Sequence, residues 1–197
     1  MRLILASASP RRAELLASAG FDFEIAPADV DESRLPDEQP ASYALRVAIA
    51  KAGAAVRVER NLGAVILAAD TVVVIGDRIL GKPSDDADAR TMLGLLSGTV
   101  HTVLTAVVLR TGSRQRSEVV GTRVHFRPLT GDDIAWYLGT REQEGKAGAY
   151  AIQGHAARFI DWIDGSWSNV VGLPIATVDR LLRELGRAVD PSLAPEV

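Results

Sequence analysis

An α/β fold built on a mixed sheet is predicted by three features of the 197-residue sequence. Short apolar runs alternate with helical stretches over the first half, the pattern of βα units. Two long β-rich segments, 101–110 and 117–126, then follow each other across a polar turn, which calls for antiparallel pairing. Helix-opening prolines (Pro10, Pro174) and closing glycines (Gly20, Gly98) stand where the periodic pattern begins and ends.

The elements follow in order. Residues 3–6 read as a short buried strand. Pro10 opens a helix whose Leu15, Leu16 and Ala19 share a face, and Gly20 ends it. Residues 21–26 (FDFEIA) alternate as a strand does, and 27–39 form an acidic loop. A helix is expected over about 40–59, then a buried strand over 64–69. Residues 72–80 read as a hairpin turning at Gly76-Asp77. Ser84 and two aspartates start a helix that Gly98 closes. After the two long strands, Thr130 and Asp133 form a capping-box pattern. A Gly-rich loop, EGKAGAYAIQG, leads to a strand over 158–163 and a turn at GSWSN. The last helix follows Pro174, with a seam of Val178, Leu181, Leu182 and Leu185. Residues 1–187 are expected to be one domain and 188–197 a loose tail.

Composition narrows the function classes. Apolar residues make up 47 % and charged residues 24 %, as in a globular body. With no cysteine there are no disulfides or thiolate metal sites, which fits a cytoplasmic protein. A net charge of -3 provides no basic field for nucleic acid. The longest apolar run, AVILAADTVVVI, is interrupted by Asp70 and is too short to span a bilayer; MRLILA is too short for a signal peptide.

Several residues are out of place on structural grounds alone. Arg11 and Arg12 stand at a helix start, where the backbone dipole is already positive; an arriving anion would offset that cost. Ser7 and Ser9 precede them, either as helix cap or as donors to phosphate oxygens. Asp70 breaks an apolar strand and needs a metal, a cation or a mouth to water; a carboxylate capping a neighbouring turn is the plainer reading. Lys51 has only apolar neighbours at helical spacing, either snorkelling to water or meeting an anion. Asp31 and Glu32 end an acidic stretch that is either solvated or able to hold a hard divalent cation. GDRILGKP imitates a P-loop but carries Pro83 where a hydroxyl should ligate magnesium; that reading fails, and Lys82 remains as a cation on a stiff backbone. Gln153, in the Gly-rich loop, can donate and accept at once, which suits a base edge. His101, His125 and His155 lack metal spacing and read as structural or surface residues. Trp136, Trp162 and Trp167 read as core or interface.

Four cations and two carboxylates are the kit for a triphosphate bound with a divalent metal. In order, SASPRR, Asp31-Glu32, IAKAG, AADTVV, GKP, GKAGAYAIQG and NVVGLP resemble the Maf family of nucleoside triphosphate pyrophosphatases, from Ser7 to Pro174. The resemblance implies an elongated mixed sheet flanked by helices, with two lobes and a central cleft, as in inosine triphosphate pyrophosphatases. It implies hydrolysis between the α- and β-phosphates, a Mg²⁺ or Mn²⁺ cofactor held by Glu32 and Asp70, and a homodimer. It implies Asp70 as proton acceptor, with Glu32, Lys51 and Lys82 as further catalytic groups. Ser7, Ser9, Arg11, Arg12, Thr71, Lys146 and Gln153 would contact substrate. Arg12, Thr71 and Gln153 together resemble the subgroup acting on dTTP and UTP, a house-cleaning activity. The alternatives are an inosine-type purine pyrophosphatase and a non-catalytic regulator of septum formation that binds nucleotide or nucleic acid.

Overall fold

The computed structural model describes residues 2–58 and 61–189. Among them, seven strands join one mixed sheet in the order β2-β1-β3-β5-β6-β7, with β4 paired to β3. The described residues form two compact units, one from 2–58, 61–70, 106–120 and 172–189 and the other from 71–105 and 121–171.

The first unit opens on two βα crossovers. Strand β1 (Leu3–Leu5) pairs in parallel with β2 (Glu24–Ile25) on one side and with the start of β3 (Val65–Ile75) on the other. Parallel neighbours require crossovers, and helices α1 (Pro10–Ser18) and α2 (Pro40–Val56) supply them. Both helices begin at Pro, whose missing N–H costs nothing at a first turn. Leu15 and Leu16 of α1 and Ala44, Val47, Ala48 and Ala52 of α2 bury the inward stripes. Helix α6 (Ile175–Val189) buries Val178, Leu181, Leu182 and Leu185, the expected seam, and Arg180 reaches Glu118 and Glu184 on its open face. The helix runs two residues past the expected boundary at 187. Residues 190–197, most of the expected tail, lie outside the described residues.

In the second unit β4 (Arg78–Leu80) turns back on β3 through Gly76, whose φ of 55° suits a tight hairpin. The P-loop imitation is therefore a strand pair. Helices α3 (Asp86–Leu96) and α4 (Gly131–Gly139) bury Leu93, Leu96, Ile134 and Tyr137. They share a core with Phe126, Tyr150 and Phe159, whose rings meet at steep angles. His101 joins this cluster, its Nε2 2.8 Å from the Tyr150 hydroxyl, and burial lowers its pKa to about 4. It is a neutral core histidine, as read from the sequence.

The long strands β5 (Val100–Thr111) and β6 (Arg114–Phe126) exceed the expected spans, because the six-residue polar connection shrinks to a tight turn with Gly112 at φ 55°. Strand β7 (Ile160–Asp164) pairs antiparallel with β6. Three other expectations need correction. The strand expected over 21–26 is only two residues, since the edge strand finds partners in β1 alone at Glu24 and Ile25. Helix α3 is capped by Asp85, which accepts from the Asp88 amide, while Ser84 donates back to Asp88. GSWSN does not remain a turn: helix α5 (Trp167–Val171) starts within it. Trp136, Trp162 and Trp167 are 40 %, 40 % and 45 % exposed, so none is core. Trp162 stacks on His125, and Trp136 lies under the Arg158 guanidinium.

The Thr130 capping box forms as read. Thr130 Oγ1 accepts from the Asp133 amide, and the Asp133 carboxylate takes the Thr130 amide and two Arg127 nitrogens. Those bonds, the guanidinium first, hold the Asp133 carboxyl far below the usual range. Replacing Thr130 with Ala is expected to cost about 1 kcal/mol, lowering the melting temperature by roughly 2–4 °C for a chain of this size. A calorimetric scan checks it, and an unchanged melting temperature would show that the cap is redundant.

Candidate functional site

The first unit draws charged side chains from three elements onto one point. Lys51 Nζ, on α2, lies 2.8 Å from Asp70 Oδ1 on β3 and 2.7 Å from Glu32 Oε1 on the acidic loop. Lys51 and Asp70 are each 8 % exposed, whereas Glu32 is open to solvent. Lys51 reaches this place because Tyr43, Val47 and Lys51 recur at intervals of four and share one stripe of α2. The ammonium does not snorkel away from the helix; it is met by two carboxylates. Burial raises the Asp70 pKa, while Lys51 and then Arg12 pull it down and Glu32 adds to the rise. A carboxylate so placed is a stronger base than one in water.

Arg12 is buried at the first turn of α1. Its Nε donates to the Gly172 carbonyl at 2.9 Å and one terminal nitrogen donates to Ser7 Oγ at 3.0 Å. Burial lowers its pKa; Asp70 and Glu32 favour its charge and Arg11 opposes it. Ser7 Oγ also accepts from the Ser9 amide at 3.2 Å. Ser9 holds the N-cap position, yet its side chain makes no capping bond, and no acidic residue sits in the first helical turn. The arginines therefore stand at the positive helix end, in a first turn that carries no acidic residue.

The acidic loop is fixed from α2 by residues that sequence reasoning did not single out. The Tyr43 hydroxyl donates to the Glu32 carbonyl at 2.8 Å, and its pKa is raised by burial and then by Asp70 and Glu32. Arg46 spans Glu38 and the Ser33 carbonyl. The available signal was position: Tyr43 lies two turns before Lys51 on the same stripe, and Arg46 is the one cation between them. Asp31, paired with Glu32 in the sequence reading, instead accepts from the Ser33 amide at 2.8 Å in a local turn. Its carboxyl is held low by Ser33.

The remaining candidates belong to the second unit. Thr71 Oγ1 lies 3.0 Å from Thr105 Oγ1, which donates to the Asn169 carbonyl. Lys82 is exposed. The adjacent Gly81 carbonyl accepts from the Gly148 amide at 3.0 Å, tying β4 to the Gly-rich loop. A Cβ at Gly148 would sit 3.0 Å from Val73, so that approach needs glycine. Lys146 Nζ donates to the Glu144 carbonyl, and Gln153 is exposed.

No cluster of three or more His, Asp or Glu residues suited to a metal occurs among the described residues. Glu32 and Asp70 do converge on one cationic centre, and their oxygens are the donor type a hard divalent ion takes. No helix among the described residues is long and apolar enough to cross a membrane.

Fold and site together define an α/β protein in which a buried carboxylate pairs with a buried lysine and a buried guanidinium sits at a helix start. The chain belongs to the Maf family, since the model for "Maf-like protein" matches residues 2–185. A dTTP/UTP pyrophosphatase of Anaeromyxobacter dehalogenans is 52 % identical over 94 % of each chain. Another from Vibrio parahaemolyticus is 45 % identical, covering 93 % of this chain and 97 % of its own. A HAM1 protein from Coxiella burnetii shares the fold, with a TM-score of 0.53 at 16 % identity, over 93 % of this chain and 99 % of its own.

Proposed function

We propose that this chain hydrolyses dTTP and UTP to the nucleoside monophosphate and pyrophosphate. The observation that carries the reading is the Lys51 ammonium bridging Glu32 and Asp70 beside a buried arginine, in a chain 45–52 % identical to proteins named dTTP/UTP pyrophosphatase. In the first unit, Arg11, Arg12, Ser7 and the Ser9 region bind phosphate oxygens. Lys51 orients Asp70 and offers positive charge to the reacting phosphate. Asp70 takes the proton from water as its oxygen attacks the α-phosphorus, and the bond to the β-phosphate oxygen breaks. Positive charge from Lys51 and the arginines stabilises the departing pyrophosphate, so most of the rate comes from positioning and charge.

Glu32 and Asp70 would hold a Mg²⁺ or Mn²⁺ ion, which would neutralise phosphate charge when bound. In the second unit we assign Lys82 and Lys146 to phosphate, and Thr71 and Gln153 to selection of the base. A Gln amide can accept the imino hydrogen and donate to a carbonyl of thymine or uracil. We further read the protein as a cytoplasmic homodimer.

A panel of nucleoside triphosphates assayed for pyrophosphate release with Mg²⁺ and with Mn²⁺ tests the reading. dTTP and UTP are expected to lead by roughly tenfold or more. A preference for ITP would favour the inosine-type alternative, and no hydrolysis of any nucleotide would overturn the proposal.

A further inference from the structure

In the second unit the backbone on both sides of Gln153 is held by groups from one place, helix α4 and the residues just after it. Upstream, the Ala151 amide donates to the Tyr137 hydroxyl at 3.2 Å. Downstream, the His155 amide donates to Glu142 Oε2 at 2.8 Å. The same carboxylate also takes His155 Nδ1 through its other oxygen. Between these anchors the Gly154 amide closes a turn onto the Ala151 carbonyl at 3.1 Å. Tyr137 is fully buried in the core, so its anchor is fixed by packing. The Glu142 side chain is partly buried, 25 % exposed, and its carboxylate accepts hydrogen bonds from His155.

Gly154 shows how close that approach is. A Cβ built there would run into the Glu142 carboxylate, whose atoms are its three nearest neighbours. The space at residue 154 is thus filled by the carboxylate that holds residue 155. Beyond His155, Trp136 packs against the imidazole edge and carries Arg158 on its face. The Glu142 segment is itself secured: its amide donates to Thr140 Oγ1, and neighbouring Gln143 donates to Asp86 on α3.

We propose that Glu142 is a positioning residue for base selection, a carboxylate clamp that sets the conformation of the Gln153-Gly154 turn, with Gly154 required so that the clamp can close. This rests on the assignment of Gln153 to the base. Glu142 itself contacts no substrate. A clamp that fixes a recognition group lowers the entropy cost of binding, so its loss appears in KM for the recognised base rather than in the chemical step.

The test is steady-state kinetics of the full-length protein with dTTP, UTP and a purine triphosphate. Glu142→Ala is expected to raise KM for dTTP and UTP roughly fivefold, with a smaller change in kcat and a flatter preference over the purine nucleotide. Glu142→Gln, which keeps one carbonyl acceptor for the His155 amide, is expected to recover part of that loss. Gly154→Ala should reproduce the Glu142→Ala phenotype by displacing the carboxylate, and should add little when Glu142 is already Ala. Circular dichroism and melting of each variant separate misfolding from misplacement, and the Gly154→Ala arm stands even if Glu142→Ala fails to fold. Additive losses, or an effect on kcat alone, would overturn the clamp. Gln153→Ala is the control. If it raises KM for dTTP while the Glu142 and Gly154 variants do not, the clamp alone falls; if Gln153→Ala changes nothing, the base assignment beneath it falls as well.

Discussion

Asp70→Asn is expected to reduce pyrophosphate release by roughly 10³-fold while leaving the fold intact. Asn keeps the shape of the side chain and can still accept from Lys51, but it cannot take a proton from water. The effect on stability has a definite sign. The Asp70 pKa is raised above 3.8, with burial the largest cause. A carboxyl whose folded pKa exceeds its unfolded value favours the native state most when protonated, and that advantage is lost as pH rises through the folded pKa. Asn stays neutral throughout. Relative to the wild type, the variant should therefore gain stability between pH 4 and pH 7, and at pH 7 should melt at the same temperature or higher. Thermal melts at both pH values, with a chelator to remove divalent cations, make the comparison. A variant that kept activity would remove Asp70 as the base; one that melted well below the wild type at pH 7 would show that the carboxylate is net stabilising through Lys51.

The second large effect is expected from Lys51→Met. The replacement fills similar space and deletes the ammonium that Glu32 and Asp70 share. Asp70 is then left buried with a like charge near it. Breaking a buried pair by removing one partner costs roughly 3 kcal/mol, more than deleting an exposed ion pair would. The Asp70 carboxyl loses its largest pK-lowering contact and rises further. The stability deficit should thus be full at neutral pH and shrink as pH falls and Asp70 takes up a proton. Turnover should fall roughly 10²-fold or more, since the charge facing the phosphate is gone. Urea unfolding at pH 7 and pH 4.5 with parallel activity assays tests both parts. A deficit independent of pH would mean that Lys51 acts through packing rather than charge.

Much of the fold was legible because its signals are local. Prolines at helix starts, Gly76 at a hairpin, the Thr130-Asp133 box and the α6 seam each need only a few neighbouring residues, and each appears as read. The misreadings lie where tertiary partners set the outcome. An alternating FDFEIA supports only as much strand as β1 can pair. A polar TGSRQR contracts to a tight turn because two long strands zip nearly to their ends. Trp162 stacks on His125 and Trp136 lies under Arg158 at the surface, pairings that no local pattern announces.

For the candidate site, the sequence by itself determined which residues were anomalous: a carboxylate inside an apolar strand, a lysine on an apolar helix stripe, two arginines at a positive helix end. Each breaks a local rule of burial or charge that can be checked without coordinates. Only the tertiary structure decided what satisfies them. Lys51 meets both Glu32 and Asp70, each 19 residues from it in the chain. Arg12 finds its carbonyl on Gly172, 160 residues away. Asp31 turns back on its own loop, accepting from the Ser33 amide. The physical reason is that a charge's need for a partner is written in its immediate sequence, whereas the partner is chosen by where helix packing and strand register bring distant backbone into hydrogen-bond range.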